Sequence, residues 1–181
     1  MKRTFFTLAA LAATMAFSAP AFASSMPKAD FGRSNTLGLG VGNGISFSLD
    51  FPLSRALSLG GALSAQSFSA NTIDLRLLYK LIPGGRERVF LDLLGGVQVY
   101  GPRFGSFTNF YPFLGVALAY PFTSRLTGRL NVAATFATSG PFDWRDTRAS
   151  GIELAYEFTP SLEGTIGANG RGDFLGLKFS F

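Results

Sequence analysis

The 181-residue chain contains no cysteine and no histidine. The first absence excludes a disulfide framework, a thiolate metal site and a thiol nucleophile. The second removes the commonest general base and metal ligand. Charge is scarce too, at 15% of residues, where a soluble α/β domain carries about a quarter. Beyond residue 23 no apolar run reaches the roughly 20 residues that a membrane-spanning helix needs. What the chain does have is apolar bulk and small residues: 20 Phe, five Tyr and 22 Gly. Without helical spans, a chain of this composition is expected to form strands.

The front of the sequence reads as an export signal. Lys2 and Arg3 precede an apolar stretch from Phe5 to Phe17, and Ala21-Phe22-Ala23 offers small residues at the two positions a signal peptidase reads. Residues 1–23 are therefore expected to be a cleaved secretory signal, and 24–181 a single domain. Leaving out Lys2 and Arg3 lowers the 16 bases to 14 against 11 acids, a net charge of +3. That is too small to argue for a nucleic-acid partner.

Period-two alternation bounded by turn residues marks the strands. Leu37, Leu39 and Val41 alternate with Gly38, Gly40 and Gly42, and Asn43-Gly44 is the pair that a type I′ hairpin turn favours. The return strand carries Ile45, Phe47, Leu49, Phe51 and Leu53 on one face and Ser46, Ser48 and Asp50 on the other. A third strand begins at Leu57, and the same rule places strands near 72–81, 89–100, 111–121, 125–136, 151–159, 161–168 and 173–181. The count is ten, or eight if 36–42 and 161–168 do not pair. Connections at Ser54-Arg55, Pro83 to Arg88, Thr123-Ser124 and Pro160 are mostly tight, while those at Phe68 to Asn71, Gly101 to Asn109 and Ala137 to Ala149 are longer. This asymmetry predicts an all-β, antiparallel, up-and-down transmembrane barrel with its short turns on the periplasmic side. An even strand count then puts both termini on that side as well.

The charged strand residues Asp50, Asp74, Arg76, Lys80, Asp92, Arg129, Glu153, Glu157, Glu163 and Lys178 all fall on the polar face. Their companions there are small, among them Gly38, Gly60, Ala62 and Ser64; the opposite face carries Phe47, Phe51, Leu59, Leu77, Val116, Leu130, Tyr156 and Phe158. A soluble lipocalin-like barrel alternates too, with its apolar face inward. Small side chains, however, relieve crowding in a narrow lumen and make a poor solvating exterior. The polar face is therefore expected to line the lumen and the large apolar face to meet outer-membrane lipid. Tyr79, Tyr100, Tyr111, Tyr120, Phe122, Phe136 and Phe158 fall near strand ends, where aromatic girdles sit. Trp144, in the longest predicted loop, is a candidate loop contact. The glycines at 38, 40, 42 and 44 recur every second residue with no helix behind them, so they are read as a strand face and not as a phosphate loop.

The export signal, the alternating strands and the Pro-containing turns at Phe51-Pro52-Leu53-Ser54 and Tyr120-Pro121-Phe122-Thr123 together resemble the small outer-membrane barrels of the OmpA/OmpX-like superfamily. So does the closing strand, Leu175 to Phe181, which alternates to a C-terminal aromatic. The likeness spans residues 31–181 and departs from the eight strands usual among the small members. It implies that Phe179 and Phe181 are the assembly signal read by the barrel-insertion machinery, after escort by periplasmic chaperones. No catalytic pattern is carried over.

Two functions fit this reading. In the first, side chains fill the lumen, and the barrel works structurally or by adhesion through its loops to an extracellular partner. In the second, six acids and four bases lining the lumen make a small, weakly cation-selective channel. Ten strands give a backbone radius of roughly 10 Å, so charges such as Arg76, Arg129, Glu153 and Glu157 are expected to pair across the lumen and block it. No separate plug is expected from loops this short. An enzyme is not expected: Glu153 and Glu157 share a face, but in a strand they lie about 13 Å apart, too far for a paired-carboxylate mechanism. Neither a cofactor nor a metal is implied.

Overall fold

The computed structural model describes residues 25–66, 71–85, 88–101, 109–136, 149–170 and 172–181. Ten strands form in chain order: β1 Thr36–Gly42, β2 Gly44–Pro52, β3 Leu57–Gln66, β4 Asn71–Ile82, β5 Phe90–Gly101, β6 Asn109–Pro121, β7 Leu126–Thr135, β8 Gly151–Thr159, β9 Leu162–Asn169 and β10 Asp173–Ser180. Every strand from β2 to β9 pairs antiparallel with its successor, and β10 returns to pair with β1. The ring closes where β1 lies beside β2; the Ser46 hydroxyl occupies the space that a Cβ on Gly40 would need. The barrel has ten strands and not eight, because both weakly patterned segments pair: β1 along Thr36 to Gly42 and β9 on both its edges.

Three turns at the end that holds the start of β1 and the close of β10 use one local device. At Phe51-Pro52-Leu53-Ser54, Tyr120-Pro121-Phe122-Thr123 and Tyr156-Glu157-Phe158-Thr159 a hydroxyl residue opens the turn. Ser54 Oγ accepts from the N–H groups of Ala56 and Leu57, Thr123 Oγ1 from those of Arg125 and Leu126, and Thr159 Oγ1 from that of Ser161. Such side chains satisfy turn donors that the ladder cannot reach. In two of the turns the aromatic ring then folds over an outward glycine of the next strand. A Cβ on Gly128 would come within 2.7 Å of Phe122, and one on Gly164 within 2.6 Å of Phe158. Tyr120 and Tyr156 each meet that ring edge-on at 5.3 Å. At the same end Asn35 and Phe181 exchange a reciprocal pair of backbone hydrogen bonds at 3.0 Å, fastening the chain's last residue to the entry of β1.

The opposite end corrects one expectation. Asn43-Gly44 does not form a type I′ turn, which needs positive φ at both residues. Among the described glycines the left-handed one is Gly172, at φ 74°, in the β9–β10 connection. The β1–β10 register shifts between Val41 and Gly42, and Asn43 N–H donates to Gly172 O at 2.9 Å. The bend at Asn43 is thus held by the neighbouring turn.

Burial alternates along the wall. Leu75 and Leu77 are 64% and 47% exposed on either side of Arg76, at 1%. The large apolar side chains Phe47, Leu59, Leu63, Leu130, Ile152 and Leu177 all face outward. Among the described residues Leu78, Leu94 and Phe113 break the rule: they point inward and are buried with Ala117, Ala119 and Ala133, and Phe90 packs partly buried against them. Gly96 makes room for the Phe113 ring, 2.7 Å from where its Cβ would be. What covers this inner patch is the N-terminal segment.

Candidate functional site: the lumen and the segment inside it

Residues 25–31 precede the first strand and pass through the barrel. Ser25, Met26, Ala29 and Phe31 are at most 6% exposed. Ser25 donates its N–H (3.2 Å) and its hydroxyl (2.8 Å) to Asp173 Oδ2, at the loop-end start of β10. At the other end of the segment Lys80, near the close of β4, donates to Phe31 O at 2.9 Å and stands 3.9 Å from the centre of the Phe31 ring. Between them the wall reads the segment's main chain: Arg76 Nη1 donates to Ser25 O at 2.8 Å and Asn131 Nδ2 to Pro27 O at 3.0 Å. Ala29 and Phe31 pack on the patch formed by Leu78, Leu94 and Phe113. The lumen is therefore occupied by chain as well as by side chains. This corrects the expectation that short loops leave no plug: the plug comes from the segment before β1, where a loop count cannot reveal it.

The lumenal charges pair along the wall rather than across it. Arg76 holds Asp50 bidentately, Nε to Oδ1 at 3.0 Å and Nη2 to Oδ2 at 2.8 Å, and lies 3.9 Å from Asp74. Gly60 stands in register with both Asp50 and Arg76 on the strand between them, and a Cβ there would collide with Asp50 Oδ1. Gly60→Val is accordingly expected to wedge this pair apart and lower stability by about 1–3 kcal/mol, measured as a lower urea midpoint. Across β7 to β10, Arg129 is the hub. Its Nε and Nη2 grip Asp30 at 2.7 and 2.8 Å, while Nη1 reaches Glu153 at 2.9 Å and Glu163 at 2.6 Å. Lys178 adds a bond to Glu153 at 2.6 Å, and Lys28 one to Glu163 at 3.2 Å. Planar forks of this kind suit multiple carboxylates better than an ammonium does.

Of the sequence-predicted lumenal charges, Asp50, Asp74, Arg76, Asp92, Arg129, Glu153, Glu163 and Lys178 are buried on the inner face. Lys80 is half-buried against Phe31. Glu157 lines a polar cavity of about 250 Å³ at the terminal mouth, with Lys28, Asp30, Arg125 and Glu163. Among the described residues no group of three acidic side chains is placed to hold a metal ion. Phe179 and Phe181 face outward at 38% and 66% exposure. The predicted signal at 1–23, most of the three longer predicted connections and Trp144 lie outside the described residues. Leu78 and Phe113 escape a reading that assigns large apolar side chains to the outer face, although Phe113 shares the parity of the small residues Gly115 and Ala117. Leu78 sits on the same parity as Asp74, Arg76 and Lys80, which was the available signal.

An outer surface of this kind is not one that water tolerates. Monomeric soluble proteins rarely expose apolar patches beyond a few hundred Å², whereas here the apolar face runs around the barrel. Phe51, Tyr79, Tyr120, Phe122 and Phe158 crowd one rim, with Phe110, Phe136 and Phe174 towards the other. Fold and surface define a ten-stranded transmembrane β-barrel. No family model matches the chain, and no curated protein matches it. Among solved structures it is similar to the KdgM porin and to the KdgM porin in complex with disordered oligogalacturonate. Each likeness has 11% sequence identity and a TM-score of 0.42, covering 82% of this chain and 99% of that chain.

Proposed function

We propose that the protein is an outer-membrane barrel, closed at rest, with both termini in the periplasm. It would act structurally or adhesively through the loops at the far end, without catalysis. The observation that carries this reading is the lumen: Arg129 ties three carboxylates from β8, β9 and the N-terminal segment at one point, and residues 25–31 fill the remaining axis. The apolar exterior and the export signal support the location. Its partners would be outer-membrane lipid, the insertion machinery and chaperones during assembly, and a loop-bound extracellular partner. The test is single-channel recording from the refolded chain beginning at Ser24, with insertion verified by heat-modifiable gel migration. Silence from inserted protein is the expected result; reproducible cation-favouring steps would replace the reading by a small channel. The excess of acids in the lumen and the cavity at the terminal mouth are what favour that second reading.

Assembly is proposed to depend on Phe179 and Phe181 as the signal read by the insertion machinery. Phe181→Ala keeps the backbone bonds to Asn35 and removes only the outward ring. It is expected to reduce inserted protein severalfold in cells while leaving the urea midpoint of protein refolded in detergent within about 0.5 kcal/mol of the parent. Equal yields in cells would remove the assignment.

A further inference from the structure

We infer that residues 25–31 are a releasable plug, a tethered ligand of the lumen whose departure opens the barrel; this rests on the closed-barrel reading above. Three observations carry it. First, the wall is complete without the segment: the strand ladders run around the ring from β1 through β10 to β2, and no residue of 25–31 belongs to a strand. Second, the charged wall groups that the segment engages keep partners on the wall when it leaves. Arg76 keeps Asp50; Arg129 keeps Glu153 and Glu163; Glu163 keeps Arg129; Asp173 keeps the Ser46 hydroxyl and the Asn169 amide, both at 2.9 Å. Release therefore strands no buried charge, the event that makes most buried ion pairs too costly to break.

Third, one residue is placed to exchange partners. Lys80 and Asp92 face each other in the β4–β5 register, yet with the segment in place the Lys80 ammonium is turned to the Phe31 carbonyl and ring. The Asp92 carboxylate, fully buried, has no hydrogen bond to either oxygen. Withdrawal of Phe31 frees Lys80 to pair with Asp92, so a bond lost to the segment is regained within the wall. What keeps the closed state favoured is the apolar seat, where Ala29 and Phe31 shield Leu78, Leu94 and Phe113 from water, together with the Asp30–Arg129 and Lys28–Glu163 pairs that release gives up. The device is thus two-state, with a dry seat holding the plug in and a self-sufficient wall tolerating its exit.

The absence of cysteine makes the test clean. Ser25→Cys, in the otherwise unchanged chain from Ser24 inserted in vesicles, is exposed to a membrane-impermeant maleimide. The expected result is slow labelling that nevertheless runs at least tenfold faster than global unfolding of the same protein. Labelling only at the unfolding rate means the segment never leaves, and labelling as fast as a free peptide means it is never held; either overturns the inference. In the recording assay, Lys28→Ala with Asp30→Ala is expected to turn a silent barrel into one showing conductance steps. Adding Ser25→Cys and Ser46→Cys, whose hydroxyls share the Asp173 acceptor, should silence it when oxidised and restore the steps on reduction. Steps unaffected by that disulfide, or none from a Lys28/Asp30 variant shown to be inserted, count against the plug. Only steps from the parent chain would also sink the closed-barrel reading.

Discussion

Arg129→Met is expected to destabilise the barrel by about 3–5 kcal/mol, the loss seen when one partner of a buried ion pair is removed and its counter-charges stay behind. The expectation follows from how the pairs are distributed. Glu153 retains Lys178 and Glu163 retains Lys28, but Asp30 has Arg129 on both of its oxygens. Removing the guanidinium leaves Asp30 facing the Glu163 carboxylate inside the lumen, and three acids then share two ammonium groups. Urea unfolding of the refolded protein, followed by tryptophan fluorescence or gel shift, measures the change. Arg129→Lys should fall between the two, because a point charge on a flexible stem cannot hold three carboxylates in one plane. Adding Glu163→Gln to Arg129→Met should recover part of the loss, since it removes one of the stranded charges. Should Arg129→Met prove neutral, water must already solvate this cluster, and the lumen would be far wetter than its burial implies.

The strand order was legible because lipid and lumen impose opposite demands on adjacent residues. A one-residue slip on β4 would put Arg76 in the bilayer and Leu77 in the lumen, so alternation fixes both phase and face. Strand number was legible for the same reason, even at β1, where small glycines alternate with Leu37, Leu39 and Val41. Three things were not legible, each for a physical reason. The type I′ expectation at Asn43-Gly44 failed because a local pair preference cannot know that Gly172, far along the chain, will supply the hydrogen bond. The pairing of charges was misjudged because register lies outside a single strand's pattern: only once Gly60 is known to separate Asp50 from Arg76 does the pair become neighbours along the wall. The plug was missed because residues 25–35 show no periodicity. Their signal is compositional, a short run in which Lys28, Asp30 and Phe31 match lumenal Glu163, Arg129 and Lys80, and it becomes readable only after the barrel exists. The repeated turn was half-seen: the two Pro-containing copies stood out, whereas Tyr156-Glu157-Phe158-Thr159 shares the ring, the spacing and the hydroxyl without the proline.

The face assignment itself has a decisive test in two adjacent residues of β7. Leu130 is 41% exposed on the outer wall, and Asn131, at 1%, donates to Pro27 O within the lumen. In a bilayer, Leu130→Arg is expected to cost about 2–4 kcal/mol if the position lies near the midplane, because the guanidinium must snorkel or draw water into hydrocarbon. On the exterior of a water-soluble barrel the same change would fall within about 0.5 kcal/mol of neutral, or improve solubility. The sign and size therefore separate the two environments, which shape alone does not. Asn131→Leu provides the control from the other face. It removes the bond to Pro27 O but also an Oδ1 that has no hydrogen-bond partner, so the loss should be about 1 kcal/mol and should loosen the N-terminal segment more than the wall. Refolding both variants into vesicles and comparing urea midpoints gives the answer. A harmless Leu130→Arg beside a disruptive Asn131→Leu would exchange inside for outside, whereas the opposite order places the apolar band against lipid and the charge network around the segment it holds.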